Sequence, residues 1–254
     1  MSEENPVLVD VADGIMVITL NRPAAKNAVN KALAEGVAAA IDQLESSPEI
    51  HVAILTGAGG TFCSGMDLKA FVQGEMPMVN GRGFAGLCEY RCTKPLIAAV
   101  EGYALACGFE VAISCDLIVA SDASKFGIPE VKRGLAAAAG GLIKLPKQIP
   151  QRIAKEWALT GDFVSAARAY ELGLINQVVA AGTALEGAKA LAAKIAANGP
   201  LAVAKSKEVV DNAQDWTSEI MFAKQNEIVA PIMTSEDAIE GATAFAEKRA
   251  PVWK

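Results

Sequence analysis

A short apolar strand, followed by small residues and then by a helix, occurs more than once in this chain. The run VAILTG leads into the glycine loop GAGGTFCSG. PLIAAVEG begins the same series of signals again, with CGFEVAISC and then DLIVAS behind it. Short apolar runs bounded by glycine are typical of buried strands. Because the units resemble one another without being identical, they predict an α/β fold wound as a short spiral of strand-strand-helix units, rather than a doubly wound sheet.

The N-terminal and C-terminal parts of the chain do not follow this strand-strand-helix pattern. PVLVDV and IMVITL, divided by the turn signal ADG, predict an N-terminal hairpin, and apolar spacing predicts a helix over residues 31–44. VQGEMPMVNGR, residues 72–82, predicts a mobile loop or short helix beside a ligand. After Gly182 the pattern is purely helical, so we expect a boundary near Gly199 and a tail that covers the main body or packs between subunits.

Charge and composition exclude several classes of protein. With 254 residues the chain can bury a large core, and its net charge of −6 argues against a nucleic-acid partner. No apolar run approaches the ~20 residues that span a bilayer, so no membrane partner is expected. The acidic start MSEENPVLVD lacks the basic and apolar regions of a secretory signal, which predicts a cytoplasmic location. The five cysteines are odd in number and lie mostly in apolar or glycine-rich surroundings, which favours reduced thiols and no metal site.

Common catalytic motifs are absent. The single histidine, His51, precedes a strand candidate and is interpreted as structural, and Gly-x-Ser-x-Gly is missing around Ser64, because Phe62 occupies the first glycine position. The strand followed by Gly57-x-Gly59 raises an NAD-binding alternative, but Phe62 also takes the place of its last glycine. No P-loop motif occurs.

Two turns of small residues offer backbone donors. In ALACGFE a strand candidate feeds a turn and then a helix that begins near Cys107. The N–H groups of Cys107 and Gly108 are therefore expected to be unpaired at the positive helix end. CSGMDL repeats the arrangement and offers the N–H of Met66. Two N–H groups that converge on one oxygen form an oxyanion hole. The alternative for each turn is a tight strand-to-helix connection, with Asp67 as a helix cap.

Two glutamates accompany these donors. Glu110 lies three residues after Cys107, on the same helix face, within the otherwise apolar GFEVAIS, where an unpaired carboxylate is costly. Glu130 follows a strand-like segment in FGIPE. Together they predict an acid-base pair that flanks a substrate, one binding or deprotonating water and the other handling a carbon proton. The alternative for each glutamate alone is a solvated acid.

The same segments carry a resemblance to a known family. The chain resembles the enoyl-CoA hydratase/isomerase family, the crotonase superfamily, over nearly its whole length. Six motifs occur in the family's order: NRPAAKNAVN, GTFCSGMDL, GYALACGFEVAISCDLIVAS, FGIPEVKRGL, LTGDFVSAARAYELGLINQVV and AFAEKRAPVWK. The resemblance implies a crotonase-like spiral of ββα units followed by a C-terminal helical region. Residues 1–198 would form the spiral core with the acyl-CoA site, and residues 199–254 the oligomerisation region of a homotrimer or homohexamer.

The resemblance also implies a role for each site residue. The amides of Met66 and Cys107 would hold the thioester oxygen, and Glu110 and Glu130 would be the catalytic pair. The implied substrate- and CoA-binding residues are Lys26, Ala28, Ser64, Gly65, Asp67, Leu68, Lys69 and Gly108. Lys248 or Lys254 of the tail would reach the ligand of a neighbouring subunit. No metal and no redox cofactor is implied, since coenzyme A is part of the substrate.

The presence of both glutamates favours an enoyl-CoA hydratase, which adds water reversibly across the double bond of a 2-enoyl-CoA thioester. GGLIKLPKQIP is similar to the carnitinyl-CoA dehydratases, which gives an alternative within the family, and an enoyl-CoA isomerase is another. A non-catalytic acyl-CoA-binding protein is the alternative of a different class. The family usually has glycine at the positions of Ala106 and Cys107 and proline at that of Ala137, so the acyl pocket is expected to differ from the common form.

Overall fold

A computed structural model describes residues 5–253 of the chain. The strands are β1 Val7–Ala12, β2 Ile15–Leu20, β3 Val52–Gly57, β4 Met78–Val79, β5 Gly83–Phe84, β6 Leu96–Val100, β7 Tyr103–Leu105, β8 Leu117–Ser121, β9 Lys125–Gly127, β10 Val164–Ser165 and β11 Gln177–Val179. The α-helices are α1 Lys31–Ser46, α2 Leu68–Val72, α3 Cys107–Ala112, α4 Gly141–Gln148, α5 Gln151–Thr160, α6 Ala166–Glu171, α7 Ala184–Ala196, α8 Pro200–Ala213, α9 Met221–Val229 and α10 Glu236–Glu247. Short 3₁₀ helices lie at Pro23–Ala25, Ala58–Gly60, Pro129–Arg133 and Ala230–Thr234.

The strands wind as the sequence predicts. A six-stranded sheet has the order β1-β2-β3-β6-β8-β11, and a three-stranded sheet has the order β10-β9-β7. In successive turns the chain adds one strand to the large sheet and one to the small sheet: β7 follows β6, and β9 follows β8. Cys63, which follows β3, forms a parallel bridge with Ala104 of β7, so the segment after β3 also pairs with the small sheet. The spiral of ββα units is therefore confirmed, as is the hairpin of β1 and β2.

Both faces of the large sheet are buried, which explains its continuous apolar strands. Ile54 and Ile97 pack on the side of α7, against Ala188 and Ala192. The alternate residues of the same strands face the main core, where they meet α1 and the small sheet. Helix α7 therefore packs on the spiral core, and the boundary that was predicted near Gly199 lies between α7 and α8.

Two expectations are refined by the structure. Residues 78–84 form the hairpin of β4 and β5 rather than a loop or short helix, because Met78 pairs with Phe84 and Val79 with Gly83. The tail is helical, as predicted, and its role as a separate oligomerisation region stays a prediction. Within residues 5–253 no helix combines the length and apolar character needed to cross a membrane.

Candidate active site

Three loops that follow equivalent strands of the spiral lie side by side. The amide N of Leu105 donates to the carbonyl O of Cys63 at 3.1 Å, and the amide N of Ala106 donates to the carbonyl O of Gly127 at 2.9 Å. These bonds fix the loop after β7 between the loop after Cys63 and the loop after β9. The winding of the chain thus brings together residues that are far apart in sequence.

Two backbone donors lie in adjacent loops. Within residues 5–253 neither the N–H of Met66 nor that of Cys107 donates to a backbone carbonyl. The loops touch at Gly65, where an added Cβ would lie 3.5 Å from the amide N of Cys107. Met66 and Cys107 also line one cavity of about 490 Å³. Paired N–H donors beside a cavity are the elements of an oxyanion hole.

The two glutamates and the Cys107 thiol form a cluster. One atom from each of Cys107, Glu110 and Glu130 lies within 4.8 Å of the other two. Glu110 is fully buried, and its Oε1 accepts a hydrogen bond of 2.7 Å from the amide N of Gly141, at the start of α4. Oε2 of Glu110 and both carboxylate oxygens of Glu130 are buried without a partner among the described residues. Such orphaned acceptors are costly unless water or substrate satisfies them.

The environments of the two carboxylates differ. Burial raises the pKa of Glu130 to about 7, and the nearby Glu110 adds to the rise. Burial also raises the pKa of Glu110, but the Gly141 N–H, the Cys107 thiol, the Ala139 N–H and, last, the Lys144 ammonium oppose the rise. Glu130 therefore has a pKa suited to carrying a proton near neutral pH, whereas the Glu110 carboxylate is the one that accepts a direct hydrogen bond from a backbone amide.

Cys107 supplies more than a backbone amide. Cys107 lines the cavity and Glu110 is not among its lining residues, while the Cys107 Sγ lies within 4.8 Å of a Glu110 carboxylate oxygen. Burial, and then the neighbouring Glu110 carboxylate, raises the pKa of the thiol. Cys107 is thus a neutral thiol at physiological pH. A cation bridging this cluster would require the thiolate, which these surroundings oppose, and the prediction of no metal stays a prediction.

The remaining predicted residues divide by position. Those that line the cavity are Ser64, Met66, Leu68, Cys107 and Glu130. Asp67 caps α2 through hydrogen bonds from the amides of Lys69 and Ala70, and it forms an ion pair of 2.9 Å with Arg22. Gly108 is buried where an added Cβ would lie 2.3 Å from the carbonyl O of Cys63. Gly108 therefore permits the close approach of α3 to this loop.

Among residues 5–253, the other residues predicted to bind substrate or coenzyme A do not line the cavity. Lys26 is exposed, and its Nζ lies 5.8 Å from the centre of the Tyr103 ring. Ala28 is buried beside the loop. Lys248 ends α10, and Lys254 lies outside the described residues. His51 precedes β3, and its Nδ1 lies 3.3 Å from the carbonyl O of Ala196, in agreement with a structural role.

Sequence analysis missed several residues around the cavity. Its wall is mainly apolar, and its unpredicted members include Phe71, Met76, Met78, Phe84, Leu135 and Phe163. Met76 and Met78 lie in the segment that was predicted to flank a ligand. Gly141 and Lys144 were also missed; the glycine pair before α4 is the signal that could have located Gly141.

The three-loop geometry on this spiral defines an enzyme of the crotonase class, and comparison with known proteins supports that conclusion. The sequence profile of the enoyl-CoA hydratase/isomerase family matches residues 10–254. A crystal structure of an enoyl-CoA hydratase from Mycobacterium tuberculosis H37Rv is similar, with a TM-score of 0.97 and 58% identity over 99% of each chain. An enoyl-CoA hydratase of the same species is 42% identical over 96% of this chain and 94% of its own. A carnitinyl-CoA dehydratase of Proteus mirabilis is 39% identical over 94% and 95%.

The chain belongs to the enoyl-CoA hydratase/isomerase family. The resemblance inferred from six motifs is therefore confirmed, and the crotonase fold with it. The named relatives are hydratases and dehydratases, which places this chain among the hydro-lyases of the family.

Proposed function

We propose that this protein is an enoyl-CoA hydratase that adds water reversibly across the double bond of a 2-enoyl-CoA thioester. One observation carries the proposal: three orphaned carboxylate oxygens of Glu110 and Glu130 are buried beside the unpaired amides of Met66 and Cys107. A water molecule and a thioester carbonyl are the groups that would satisfy these acceptors and donors together.

The different surroundings of the two glutamates support a different role for each. The amides of Met66 and Cys107 bind the thioester oxygen and stabilise the enolate that forms when the β carbon is attacked. Glu110, as the carboxylate, takes a proton from the bound water while the hydroxyl bonds to the β carbon. Glu130 holds its proton because burial raises its pKa to about 7, and it gives that proton to the α carbon. A proton then passes from Glu110 to Glu130 and restores both groups, and dehydration follows the same steps in reverse.

The proposal extends to the substrate, assembly and location. Coenzyme A would bind near Lys26 and the loop of residues 64–69, and no metal or redox cofactor is needed because the thioester and the backbone dipoles stabilise the enolate. A homotrimer or homohexamer is proposed on the resemblance and on the exposed apolar tail. All five cysteines are free thiols in the structure, which is typical of the reducing cytoplasm and supports the proposed location.

The cavity favours an uncharged acyl group over the carnitinyl group of some relatives. Among the described residues that line it, Glu130 and Arg133 are the charged ones, and the others are mainly apolar. A trimethylammonium group would be repelled by Arg133, and the one acidic side chain among these described residues, Glu130, is the proposed proton donor rather than a binding group. Carnitinyl-CoA dehydration is kept as the second candidate because relatives near 40% identity have that name.

The test is the loss of enoyl-thioester absorbance with crotonyl-CoA, run in parallel with crotonobetainyl-CoA and a longer enoyl-CoA. Glu110→Gln and Glu130→Gln should each lower kcat by about 10² or more while CoA binding and folding persist. Glu171→Gln, an exposed ion-pair partner of Arg168, is the matched control and should keep full activity.

The outcomes separate the candidates. Turnover of crotonobetainyl-CoA alone would select the second candidate. Full activity in both glutamine variants would contradict the assigned roles. Binding of acyl-CoA without turnover would indicate a non-catalytic binding protein.

A further inference from the structure

Lys144, on α4, is a half-buried cation with no charged partner in contact. Its Nζ donates to the carbonyl O of Cys88 and to Oγ of Ser114, each at 2.6 Å, and within residues 5–253 it forms no ion pair. Neutral oxygens only partly compensate an ammonium for lost hydration. A lysine on the surface would keep its hydration, so the half-buried position of Lys144 needs a structural or functional explanation.

The hydrogen bonds of Lys144 lead to Glu110. Ser114, which accepts from Lys144, donates its hydroxyl to the carbonyl O of Glu110 at 2.6 Å. Three residues before Lys144, the amide N of Gly141 donates to the Glu110 carboxylate. Helix α4 therefore holds Glu110 at both ends, at its backbone through Lys144 and Ser114 and at its carboxylate through Gly141.

The charged groups around Lys144 and Glu110 show which electrostatic interaction of Lys144 matters. Cys88, Cys115, Glu110 and Arg91 are the ionisable groups that act on Lys144. Both cysteines are protonated at neutral pH, because burial raises the pKa of Cys88 to about 12 and that of Cys115 well above its usual value. Arg91 has the same sign as Lys144. Of these four groups, Glu110 is thus the one carboxyl, and its ionised form is the one that would attract Lys144.

Three other groups face Glu110 with Lys144. They are the thiols of Cys88 and Cys107, which are neutral, and Glu130, which repels a second negative charge only when it has lost its proton. Lys144 is the cation among them. Its positive charge therefore opposes both the burial of the Glu110 carboxylate and the repulsion from Glu130.

We propose that Lys144 is a positioning residue for Glu110: Lys144 anchors the Glu110 backbone through Ser114, and its positive charge favours the carboxylate form of Glu110. The inference rests on the proposed function, in which Glu110 is the base. Lys144 does not contact the substrate cavity, so it acts through Glu110 and not on the reacting atoms.

The pH profile of hydration tests this role. Without the positive charge, Glu110 binds its proton more tightly and becomes a competent base only at higher pH. In Lys144→Met the acid limb of kcat/KM for crotonyl-CoA should therefore move to higher pH. The ratio of kcat/KM at pH 6 to that at pH 8 should fall about threefold or more relative to the wild type. Lys144→Arg keeps the charge and should keep the acid limb.

Matched variants separate charge from structure. Lys147→Met removes a lysine from the same helix that is exposed and paired with Asp215 at 3.0 Å, so its profile should match the wild type. Ser114→Ala should lower kcat at every pH without moving the limb, because the charge of Lys144 remains. If Lys144→Met does not fold by circular dichroism, Lys144→Gln carries the same test, since its amide can donate to the same two oxygens.

Two results would overturn the inference in distinguishable ways. An active wild type whose acid limb is unchanged in Lys144→Met or Lys144→Gln would limit Lys144 to packing and leave the proposed function intact. A wild type without hydratase or dehydratase activity would overturn the proposed function and the role of Lys144 with it.

Discussion

Ala106 occupies a backbone conformation that L-residues rarely adopt. Its φ of 52° and ψ of −132° lie just before α3, where the chain turns from β7 into the helix that carries Glu110. Non-glycine residues in such regions cost about 1–3 kcal/mol and persist where the surroundings enforce them. The hydrogen bond from the amide N of Ala106 to Gly127 is one such constraint. The strain is therefore located in the loop that presents the Cys107 amide.

Ala106→Gly should stabilise the protein. Relief of the strained φ outweighs the extra chain entropy of glycine, which costs about 0.5–1 kcal/mol, so Tm should rise by about 2–4 °C. Thermal unfolding followed by circular dichroism measures the change. Ala104→Gly, in β7 and fully buried, is the control and should lower Tm. A fall in Tm for Ala106→Gly would show that its Cβ contributes more by packing than its backbone costs.

Individual site residues were predictable to different degrees. Met66, Cys107, Glu110 and Glu130 could be proposed from local signals, because a turn of small residues before a helix and a carboxylate in an apolar run are visible in sequence. Local signals could not show which atoms are left unpaired. The orphaned oxygens of the glutamates depend on contacts across three turns of the spiral.

Helix α4 makes a close contact with α3, the helix that carries Glu110. The amide N of Gly141 lies 2.7 Å from Oε1 of Glu110, and a Cβ added to Gly141 would lie 3.0 Å from the same atom. The helices can approach this closely because position 141 has no side chain. The orientation of the Glu110 carboxylate is thus set by the start of another helix.

Gly141→Ala should lower activity more than stability. The methyl group would displace the Glu110 carboxylate by a few tenths of an ångström, and small misplacements of reacting groups cost large factors in rate. We expect kcat for crotonyl-CoA hydration to fall about tenfold or more, with Tm changed by only a few degrees. Steady-state kinetics measures the change in kcat, and thermal unfolding measures the change in Tm. Unchanged kcat in a folded variant would show that Glu110 tolerates the shift.

The secondary-structure elements that could be predicted from the sequence differ from the others in their length and in how continuous their apolar pattern is. The large-sheet strands were predicted because burial on both faces makes them continuous apolar runs. Helices α4 and α5 were not predicted, because Pro146 lies inside α4 and Pro150 directly precedes α5, and both prolines indicate helix breaks in the sequence. The two-residue strands β4 and β5 are too short to show any alternation, so their hairpin could not be predicted.

The C-terminal helices bury little of their own apolar surface. Within α8, α9 and α10 the only buried residue is Ala244. Large side chains stand in solvent instead, with exposed fractions of 67% for Phe222, 79% for Met233 and 87% for Phe245. An isolated chain that exposes so much apolar surface is poorly stabilised, and such patches usually mark interfaces. The monomer fold alone therefore does not account for this tail.

We expect the chain to assemble through this tail as a homotrimer or homohexamer. The double variant Phe222→Glu with Phe245→Glu places two charges on the exposed apolar surface, and burying them would oppose association. Its mass, measured by light scattering after gel filtration, should shift towards the monomer. Leu159→Glu, on α5 of the spiral core and 76% exposed, is the matched control and should keep the wild-type mass. A wild type that remains monomeric at micromolar concentration would contradict the assembly, and a double variant of unchanged mass would place the interface elsewhere.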